Sequence, residues 1–216
     1  MITPPVLSLD ESSAHDRALT MLASGSRSVL GLAGPPGAGK STFAEKLVGD
    51  LRAAGHPVAL LPMDGFHLAH SVLVERGLEG VKGAPETFDA AGYVALLRRL
   101  RDPGEDTVWA PRFDRGLEDA IAGSIPIPKE VRLVVTEGNY LLLDHGPWAE
   151  VRRLLDQCWF LEVDSSLRRR RLASRHARHG RPAVEARERA LGSDEANARV
   201  VSATRSRADA ALRLRA

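Results

Sequence analysis

The chain has 216 residues, of which 44% are hydrophobic and 27% are charged, and its formal net charge at pH 7 is +2. A chain of this length suits one large domain, or a domain with a lid, better than two independent cores. The small net charge argues against a surface built as a whole for polyanions. Many arginines nevertheless fall between Arg168 and Arg189, which indicates a local anionic partner.

Cysteine usage and apolar runs bear on the compartment. Cys158 is the only cysteine, so an intrachain disulfide is excluded and a reducing compartment is expected. The start MITPPVLSLDESS has no basic region followed by an apolar stretch, which argues against a secretory signal. No apolar run approaches the ~20 residues that span a bilayer. These patterns predict a cytoplasmic protein without a membrane partner.

Apolar runs alternate with segments of helical spacing along the chain. In chain order, the pattern predicts a helix at 11–23, a strand at 28–33, a helix at 40–55, a strand at 56–63, a helix at 89–102, a short edge strand at 106–111, a Pro-rich connector at 123–130, strands at 131–138 and 158–164, and a basic helix at 165–180. The segment 208–214 fits a strand or a helix. This alternation predicts an α/β fold with a largely parallel sheet that helices cover on both faces.

The sequence GPPGAGKS between the first predicted strand and the following helix fits the pattern G-x-x-x-x-G-K-[ST]. Its glycines let backbone N–H groups turn around phosphate oxygens, and the helix presents its positive N-terminal end to the same anion. Lys40 is expected to reach the β- and γ-phosphates of ATP, and the Ser41 hydroxyl to bind Mg²⁺. A glycine-rich turn with a surface lysine is the alternative. The predicted nucleotide-binding residues are Gly34, Pro35, Pro36, Gly37, Ala38, Gly39, Lys40, Ser41 and Thr42.

Two acids, Asp64 and Glu137, close apolar strands. The carboxyl ends of parallel strands meet at one edge of a sheet, so both acids are expected to face the phosphate loop. Asp64 is placed to accept the proton of a hydroxyl that attacks the γ-phosphate, and Glu137 to hold Mg²⁺ through water or to contact a substrate hydroxyl. The alternative for either acid is a cap on the next helix.

Longer blocks carry a resemblance to a known family. The segment 64–89 resembles the acceptor region of bacterial pantothenate kinases of the phosphate-loop type, through D-G-F, V-L-x-E-R-G-L and K-G-x-P-E-[ST]-[FY]-D. VWAPRFDR and VVTEGNYLLLD resemble later blocks of the wider uridine kinase, pantothenate kinase and phosphoribulokinase family, and TRSRAD resembles the loop beside the adenine site of that family. The resemblance extends to a bacterial branch labelled nucleoside/nucleotide kinase-like or fructose-transport-system kinase. It implies a P-loop NTPase three-layer sandwich with a helical lid, forming a single domain over 1–216.

The chain departs from these relatives in the acceptor region, about 64–119. Gly83 stands where uridine kinases have an aspartate that holds the ribose hydroxyls, and Arg115 stands where pantothenate kinases have a histidine. The charged cluster at 112–115 suits a polar or anionic metabolite, with a solvated charged loop as the alternative. The predicted acceptor-binding residues are Asp64, His67, Lys82, Arg112, Asp114, Arg115, Glu137 and Asn139.

Arginines at positions 168, 171, 175 and 178 share one face of the basic helix. A kinase would use this helix in a lid, about 165–190, whose guanidinium groups stabilise charge on the transferring phosphoryl group. By resemblance to family lids, Arg171 and Arg175 take this role, whereas a solvated charged face is favoured for 168–170. An RNA-binding helix is a third interpretation, disfavoured because no aromatic residue interleaves with the arginines.

Two functional hypotheses follow. The leading one is an ATP-dependent, Mg²⁺-requiring kinase that phosphorylates a hydroxyl of a small pantothenate-, nucleoside- or sugar-like metabolite. Its catalytic residues would be Lys40, Asp64, Glu137, Arg171 and Arg175, with Ser41 and Glu137 as metal ligands. The rival is a regulatory ATP-binding protein of the same fold that transfers nothing; it is expected to lack one of these residues. No nucleic-acid partner is predicted, no third ligand completes a zinc site at His67/His70 or His176/His179, and a homodimer is left open.

Overall fold

The structure is a computed structural model that describes residues 6–102, 104–178 and 182–214 of the chain. Helices and strands alternate as the sequence pattern predicts. The elements in chain order are β1 (Leu7–Leu9), α1 (Glu11–Leu22), β2 (Ser28–Ala33), α2 (Lys40–Ala53), β3 (Val58–Pro62), α3 (His70–Glu75), α4 (Ala90–Arg101), β4 (Thr107–Asp114), β5 (Asp119–Pro128), β6 (Leu133–Gly138), β7 (Gln157–Glu162), α5 (Ser165–Arg178), α6 (Ala183–Leu191), α7 (Ser193–Ala203) and β8 (Ala210–Arg213). Single turns of 3₁₀ helix lie at Met63–Phe66, Glu79–Val81, Pro85–Thr87 and Arg205–Arg207, and a longer 3₁₀ segment at Gly146–Leu154.

Six strands form one parallel sheet in the order β1-β8-β7-β2-β6-β3. Two interior strands, β2 and β6, are buried at every position, as expected for a parallel sheet covered on both faces. Alternate residues of β2 enter different cores: Val29 packs with α4, whereas Leu30 packs with α2. The predicted α/β class with helices on both faces of a mainly parallel sheet is therefore confirmed.

A two-stranded antiparallel hairpin, β4–β5, stands apart from the main sheet. The predicted connector at 123–130 is wrong, because most of it belongs to β5, where Trp109 pairs with Pro126 and Thr107 with Pro128. The two prolines of this segment, Pro126 and Pro128, favoured a connector. Proline is nevertheless tolerated in β5, because among the described residues this strand pairs only with β4 and the N–H groups on its other side are not needed for pairing. The edge strand predicted at 106–111 is real but extends to Asp114.

The first and last strands of the described chain, β1 and β8, pair with each other at one edge of the sheet. β8 resolves the open prediction for 208–214 in favour of a strand, and it pairs on one side with β7 and on the other with β1. β1 was not predicted, because it has only three residues. Within the described ranges, no helix has both the length and the apolar character that crossing a membrane requires.

Strand register sets the position of the candidate site. Glu137 lies between Leu32 of β2 and Pro62 of β3. The phosphate loop after β2, the turn after β3 and the end of β6 consequently share the carboxyl edge of the sheet, where ligands bind in open α/β folds.

Candidate active site

A cavity of about 1110 Å³ opens at this edge of the sheet. Its walls come from the phosphate loop, the turn after β3, the end of β6, the hairpin, the loop that contains Lys82 and Gly83, and helices α5 to α7. Sequence-distant segments therefore converge on one chamber, which is large enough for more than one small ligand.

The phosphate loop owes its shape to glycine. Gly37 (φ 80°) and Gly39 (φ 95°) adopt backbone conformations that other residues rarely take. A Cβ on Gly37 would lie 2.9 Å from Cγ of Leu172 and 3.1 Å from Cγ of Arg168. Helix α5 thus packs directly on the loop, and a side chain at Gly37 would push it away.

Lys40 is buried at the start of α2. Its Nζ donates to the carbonyl oxygen of Pro35 (3.2 Å) and to Oδ1 of Asn139 (2.8 Å). Burial lowers the pKa of Lys40, while the charges of Glu137 and Asp64 oppose that shift. An ammonium group has three N–H donors, so one remains for an anion within the loop. The loop and Lys40 fit a nucleotide triphosphate chain.

Glu137 is 5% exposed and accepts a hydrogen bond from Ser41 Oγ at 3.0 Å. Burial, followed by the neighbouring charge of Asp64, raises the pKa of Glu137 to about 7, against the opposing effects of Lys40, Ser41 and Arg115. A hydroxyl and a carboxylate side by side are hard oxygen donors of the kind that Mg²⁺ takes from proteins together with phosphates. The predicted metal ligands, Ser41 and Glu137, are therefore adjacent.

The shifted pKa of Glu137 predicts a pH dependence of stability. Between pH 4.5 and 7 the folded protein keeps a proton that the unfolded chain loses, so the stability of the nucleotide-free protein falls as pH rises through this window. Glu137→Gln removes the titration. The difference in free energy of unfolding, variant minus parent, should then be about 2–3 kcal/mol larger at pH 8 than at pH 4.5. Chemical denaturation at the two pH values measures this, with the exposed Glu45→Gln on α2 as control; an unchanged difference would contradict the assignment.

Asp64 lies in the turn that follows β3, with 37% of its side chain exposed. Arg115 Nη2 approaches Asp64 Oδ2 at 3.7 Å, a loose ion pair. The turn packs tightly on β4, because a Cβ on Gly65 would lie 2.4 Å from the carbonyl oxygen of Pro111. Asp64 and Lys40 line the same cavity, as the strand-end argument predicts.

Aromatic side chains form the wall beyond Asp64. The His67 ring lies 3.9 Å from that of Phe88 and 4.9 Å from that of Phe113, and its Nδ1 lies 2.8 Å from the Asp64 carbonyl oxygen. Burial lowers the pKa of His67, which favours a neutral ring that donates through Nδ1 to this carbonyl and keeps Nε2 as an acceptor. The Lys82 ammonium lies 5.0 Å from the centre of the Phe113 ring and donates to the Glu118 carbonyl oxygen at 2.7 Å.

Not every predicted acceptor residue reaches the cavity. Arg115 lines it, but Arg112 and Asp114 do not. Asp114 Oδ1 instead accepts hydrogen bonds from the N–H groups of Gly116 and Leu117 in the hairpin turn. Successive residues of a strand point to opposite faces, so β4 can present only part of a charged cluster to the site. Asn139 lines the cavity on the nucleotide side, where it holds Lys40.

The predicted lid arginines divide into two groups. Arg171, Arg175 and Arg178 line the cavity, and within the described residues their side chains make no hydrogen bond or ion pair. Arg168 is 3% exposed and pairs with Glu195 of α7, and its Nη1 has no hydrogen-bond partner among the described residues. The solvated face predicted for 168–170 is therefore wrong for Arg168, because α7 covers it.

This division predicts different phenotypes for neighbouring arginines. Arg171→Ala and Arg175→Ala should lower kcat by about 10²-fold with little change in nucleotide affinity, because their contacts strengthen with charge on the transferring group. Arg168→Ala should lower the free energy of unfolding by about 3 kcal/mol, since it leaves Glu195 with one partner fewer. Steady-state kinetics and denaturation distinguish the two, and an unfolding free energy of Arg168→Ala equal to that of the exposed Arg170→Ala would contradict this division.

Sequence reasoning missed several residues. Tyr140, Arg189 and Asn197 hold the loop at Lys82 and Gly83, but nothing in their local sequence indicates this. Residues 204–209 do not line the main cavity, and Asp209 Oδ2 accepts a hydrogen bond from the N–H of Cys158 near the amino end of β7. The likeness of TRSRAD to the loop beside the adenine site stays a prediction, while Leu214 after β8 lies next to the phosphate loop.

A smaller cavity of about 340 Å³ adjoins the phosphate loop. It is lined by Glu11, Gly39, Thr42, Phe43, Lys46, Arg171 and Leu214. Gly39, Thr42 and Arg171 also line the main cavity. Among the described residues no group of three potential metal-binding acids, histidines or cysteines occurs. His179 lies outside these residues.

Comparisons with known proteins agree with this geometry. Residues 10–70, which include the phosphate loop, match the family model described as methylmalonyl Co-A mutase-associated GTPase MeaB. A Schizosaccharomyces pombe protein provisionally named uridine kinase C227.14 is 35% identical over 188 residues, which cover 84% of this chain and 79% of that protein. The pantothenate kinase of Enterococcus faecalis is 30% identical over 142 residues, which cover 64% of this chain and 46% of that enzyme.

Solved structures add a match over nearly the full length. A Silicibacter sp. TM1040 protein provisionally assigned as a fructose transport system kinase has a TM-score of 0.85 at 38% identity, over 94% of this chain and 99% of that chain. The parallel sheet, phosphate loop and flanking helices define a P-loop nucleotide-binding protein. The chain belongs to the P-loop kinase family, with relatives named uridine kinase and pantothenate kinase, and is a small-molecule kinase.

Proposed function

We propose that this kinase transfers the γ-phosphate of ATP to a hydroxyl of a small polar metabolite of the pantothenate, nucleoside or sugar type. One observation carries the proposal: Lys40 of the phosphate loop and Asp64 of the turn after β3 line a single cavity that extends beyond the loop. A cavity for the nucleotide alone would not need the aromatic wall and charged hairpin on the far side of Asp64. The predicted fold of 1–216 as one domain is part of this proposal.

The nucleotide would lie across the phosphate loop, with its phosphates on Gly37–Ser41 and its nucleoside toward the small cavity beside Thr42 and Leu214. Mg²⁺, held by Ser41 and Glu137, would offset phosphate charge when bound. Lys40 supports the triphosphate by direct donation, because its remaining N–H is not used by Pro35 or Asn139.

Transfer then needs a base, an attacking hydroxyl and charge stabilisation. The Asp64 carboxylate accepts the hydroxyl proton as the hydroxyl oxygen bonds to the γ-phosphorus, and the bond from that phosphorus to the β–γ bridging oxygen breaks. Arg171 and Arg175 donate to the transferring group from α5. Both line the cavity with guanidinium groups that make no competing ion pair in the described part of the chain.

The acceptor would lie between His67, Phe113 and Arg115. His67 Nε2 accepts a hydrogen bond from a hydroxyl or amide N–H, because Nδ1 is engaged by the Asp64 carbonyl. The aromatic rings favour contact with the carbon skeleton of the acceptor. Arg115, which is half-exposed and only loosely paired with Asp64, is available to an anionic or polar substituent.

Acceptor-dependent ADP release tests this proposal. A coupled assay with ATP and Mg²⁺ is run separately with pantothenate, nucleosides, pentoses, hexoses and hydroxy acids. One class is expected to raise ADP release well above the rate without acceptor, and Lys40→Ala should abolish that increase. ADP release that responds to no hydroxyl compound, in protein that binds ATP, would contradict the proposed transfer.

A further inference from the structure

Residues 79–84 form a loop that is called here the acceptor loop. Side chains from other segments donate hydrogen bonds to its carbonyl oxygens. The Gly83 carbonyl oxygen accepts hydrogen bonds from Tyr140 Oη (2.5 Å) and from Asn197 Nδ2 (3.2 Å). The Lys82 carbonyl oxygen accepts from Arg189 Nη2 at 3.1 Å. Tyr140 and Asn197 are both buried. The path of the acceptor loop, and with it the position of Lys82, therefore depends on α6 and α7.

The first turns of α7 also hold the lid helix α5. Asp194 Oδ2 lies 2.7 Å from Nε2 of His176, and Glu195 pairs with Arg168 and Arg169. Asp194, Glu195 and Asn197 are consecutive or nearly so on one short helix. A displacement of α5 must consequently either move α7 or break these contacts.

Helix α5 also contacts the phosphate loop directly. It packs against Gly37 so closely that a single added carbon would clash with Leu172. Its Arg171 and Arg175 face the cavity from the same helix. A continuous chain of contacts thus runs from the phosphate loop through α5 and α7 to the acceptor loop.

We propose that α7 couples the lid to the acceptor loop and that Asn197 is the positioning residue of this coupling. Ordering of α5 by a nucleotide on the phosphate loop would then order residues 79–84 through α7 and Asn197. Coupling of this kind requires only that a bound nucleotide reduce the motion of α5 and that contacts connect α5, α7 and the acceptor loop. The inference rests on the proposed use of the cavity for ATP.

Tyr140 provides an internal comparison, because it donates to the same carbonyl from the segment that follows β6 and not from α7. Loss of either donor should loosen the acceptor loop in the free protein. Only loss of Asn197 should disconnect the loop from the nucleotide. A merely structural role for Asn197 would make the two variants alike.

Hydrogen exchange of backbone amides tests this without knowledge of the acceptor. Exchange is measured with and without the ATP analogue AMP-PNP and Mg²⁺ in the parent, Asn197→Asp, Asn197→Ala and Tyr140→Phe, with the exposed Ser202→Ala on α7 as control. In the parent, AMP-PNP should slow exchange about tenfold in the phosphate loop, α5 and the acceptor loop. In both Asn197 variants the phosphate loop and α5 should keep this effect, while the acceptor loop should show less than about a twofold change.

Tyr140→Phe and Ser202→Ala should retain the nucleotide effect in the acceptor loop. Asn197→Asp is nearly isosteric, which keeps the test available if Asn197→Ala does not fold. Acceptor-loop protection that is absent in the parent, or equal in the parent and the Asn197 variants, would overturn the coupling. Absence of AMP-PNP protection from the phosphate loop itself would instead count against the proposed function.

Discussion

Replacement of Lys40 by alanine is expected to lower phosphoryl transfer by at least about 10²–10³-fold while the fold is retained. The buried ammonium group donates to Pro35 and Asn139, and its third N–H would donate to the phosphates in the proposed mechanism. Its removal eliminates a cation where charge develops on the transferring group. Steady-state kinetics with the acceptor found by the ADP-release screen measures the loss, and circular dichroism confirms the fold.

Lys129→Ala is the matched control for this experiment. Lys129 lies just after β5, is exposed, pairs with Asp106 at 2.8 Å and lines neither cavity. The control should keep the parental rate, because an exposed pair of this kind contributes little. Activity of Lys40→Ala above about a tenth of the parent would remove Lys40 from the transfer step, since one lost contact at a developing charge costs more than that.

Asp64→Asn is expected to reduce turnover by about 10²–10⁴-fold while ATP still binds. Asparagine keeps the size of the side chain and supports the same turn, but it cannot accept the hydroxyl proton. Asp114→Asn is a suitable control, because Asp114 serves the hairpin turn and does not line the cavity. Turnover and nucleotide affinity are measured for both variants.

Three outcomes of the Asp64 experiment have different meanings. A large loss that Mg²⁺ does not restore supports proton acceptance by Asp64. A loss that is partly recovered at higher Mg²⁺ concentration indicates that Asp64 mainly organises the metal. Turnover close to that of the parent would leave Asp64 as a turn residue and exclude it from the mechanism.

Local patterns predicted the parts of this molecule that depend on local physics. The phosphate loop is encoded by glycines within a few residues of Lys40, and the strand-end acids follow continuous apolar runs. Asp64 and Glu137 were therefore expected at one edge of the sheet, and the register of β2, β3 and β6 places them there. The resemblance to family lids, rather than local spacing, singled out Arg171 and Arg175, and both line the cavity.

Tertiary contacts decided the remainder. Arg168 and Arg171 lie on the same face of α5. Helix α7 nevertheless covers Arg168, whose guanidinium group pairs with the carboxylate of Glu195. The two prolines of β5 mask its strand character. Only the folded hairpin shows that Arg115, in its turn, lines the cavity whereas Arg112 of β4 does not. Asn197 is an ordinary polar residue in sequence, and its role near Gly83 depends on a contact across 114 positions.

We expect the chain to move a phosphoryl group from ATP to a hydroxyl compound. The most direct test supplies ATP labelled with ¹⁸O in its γ-phosphate, Mg²⁺ and a deproteinised metabolite extract, and follows the label by mass spectrometry. The label should appear in an organic phosphate monoester that the parent forms and that Lys40→Ala and Asp64→Asn form far more slowly. Label that is found only in ATP and inorganic phosphate, with intact nucleotide binding, would contradict the account.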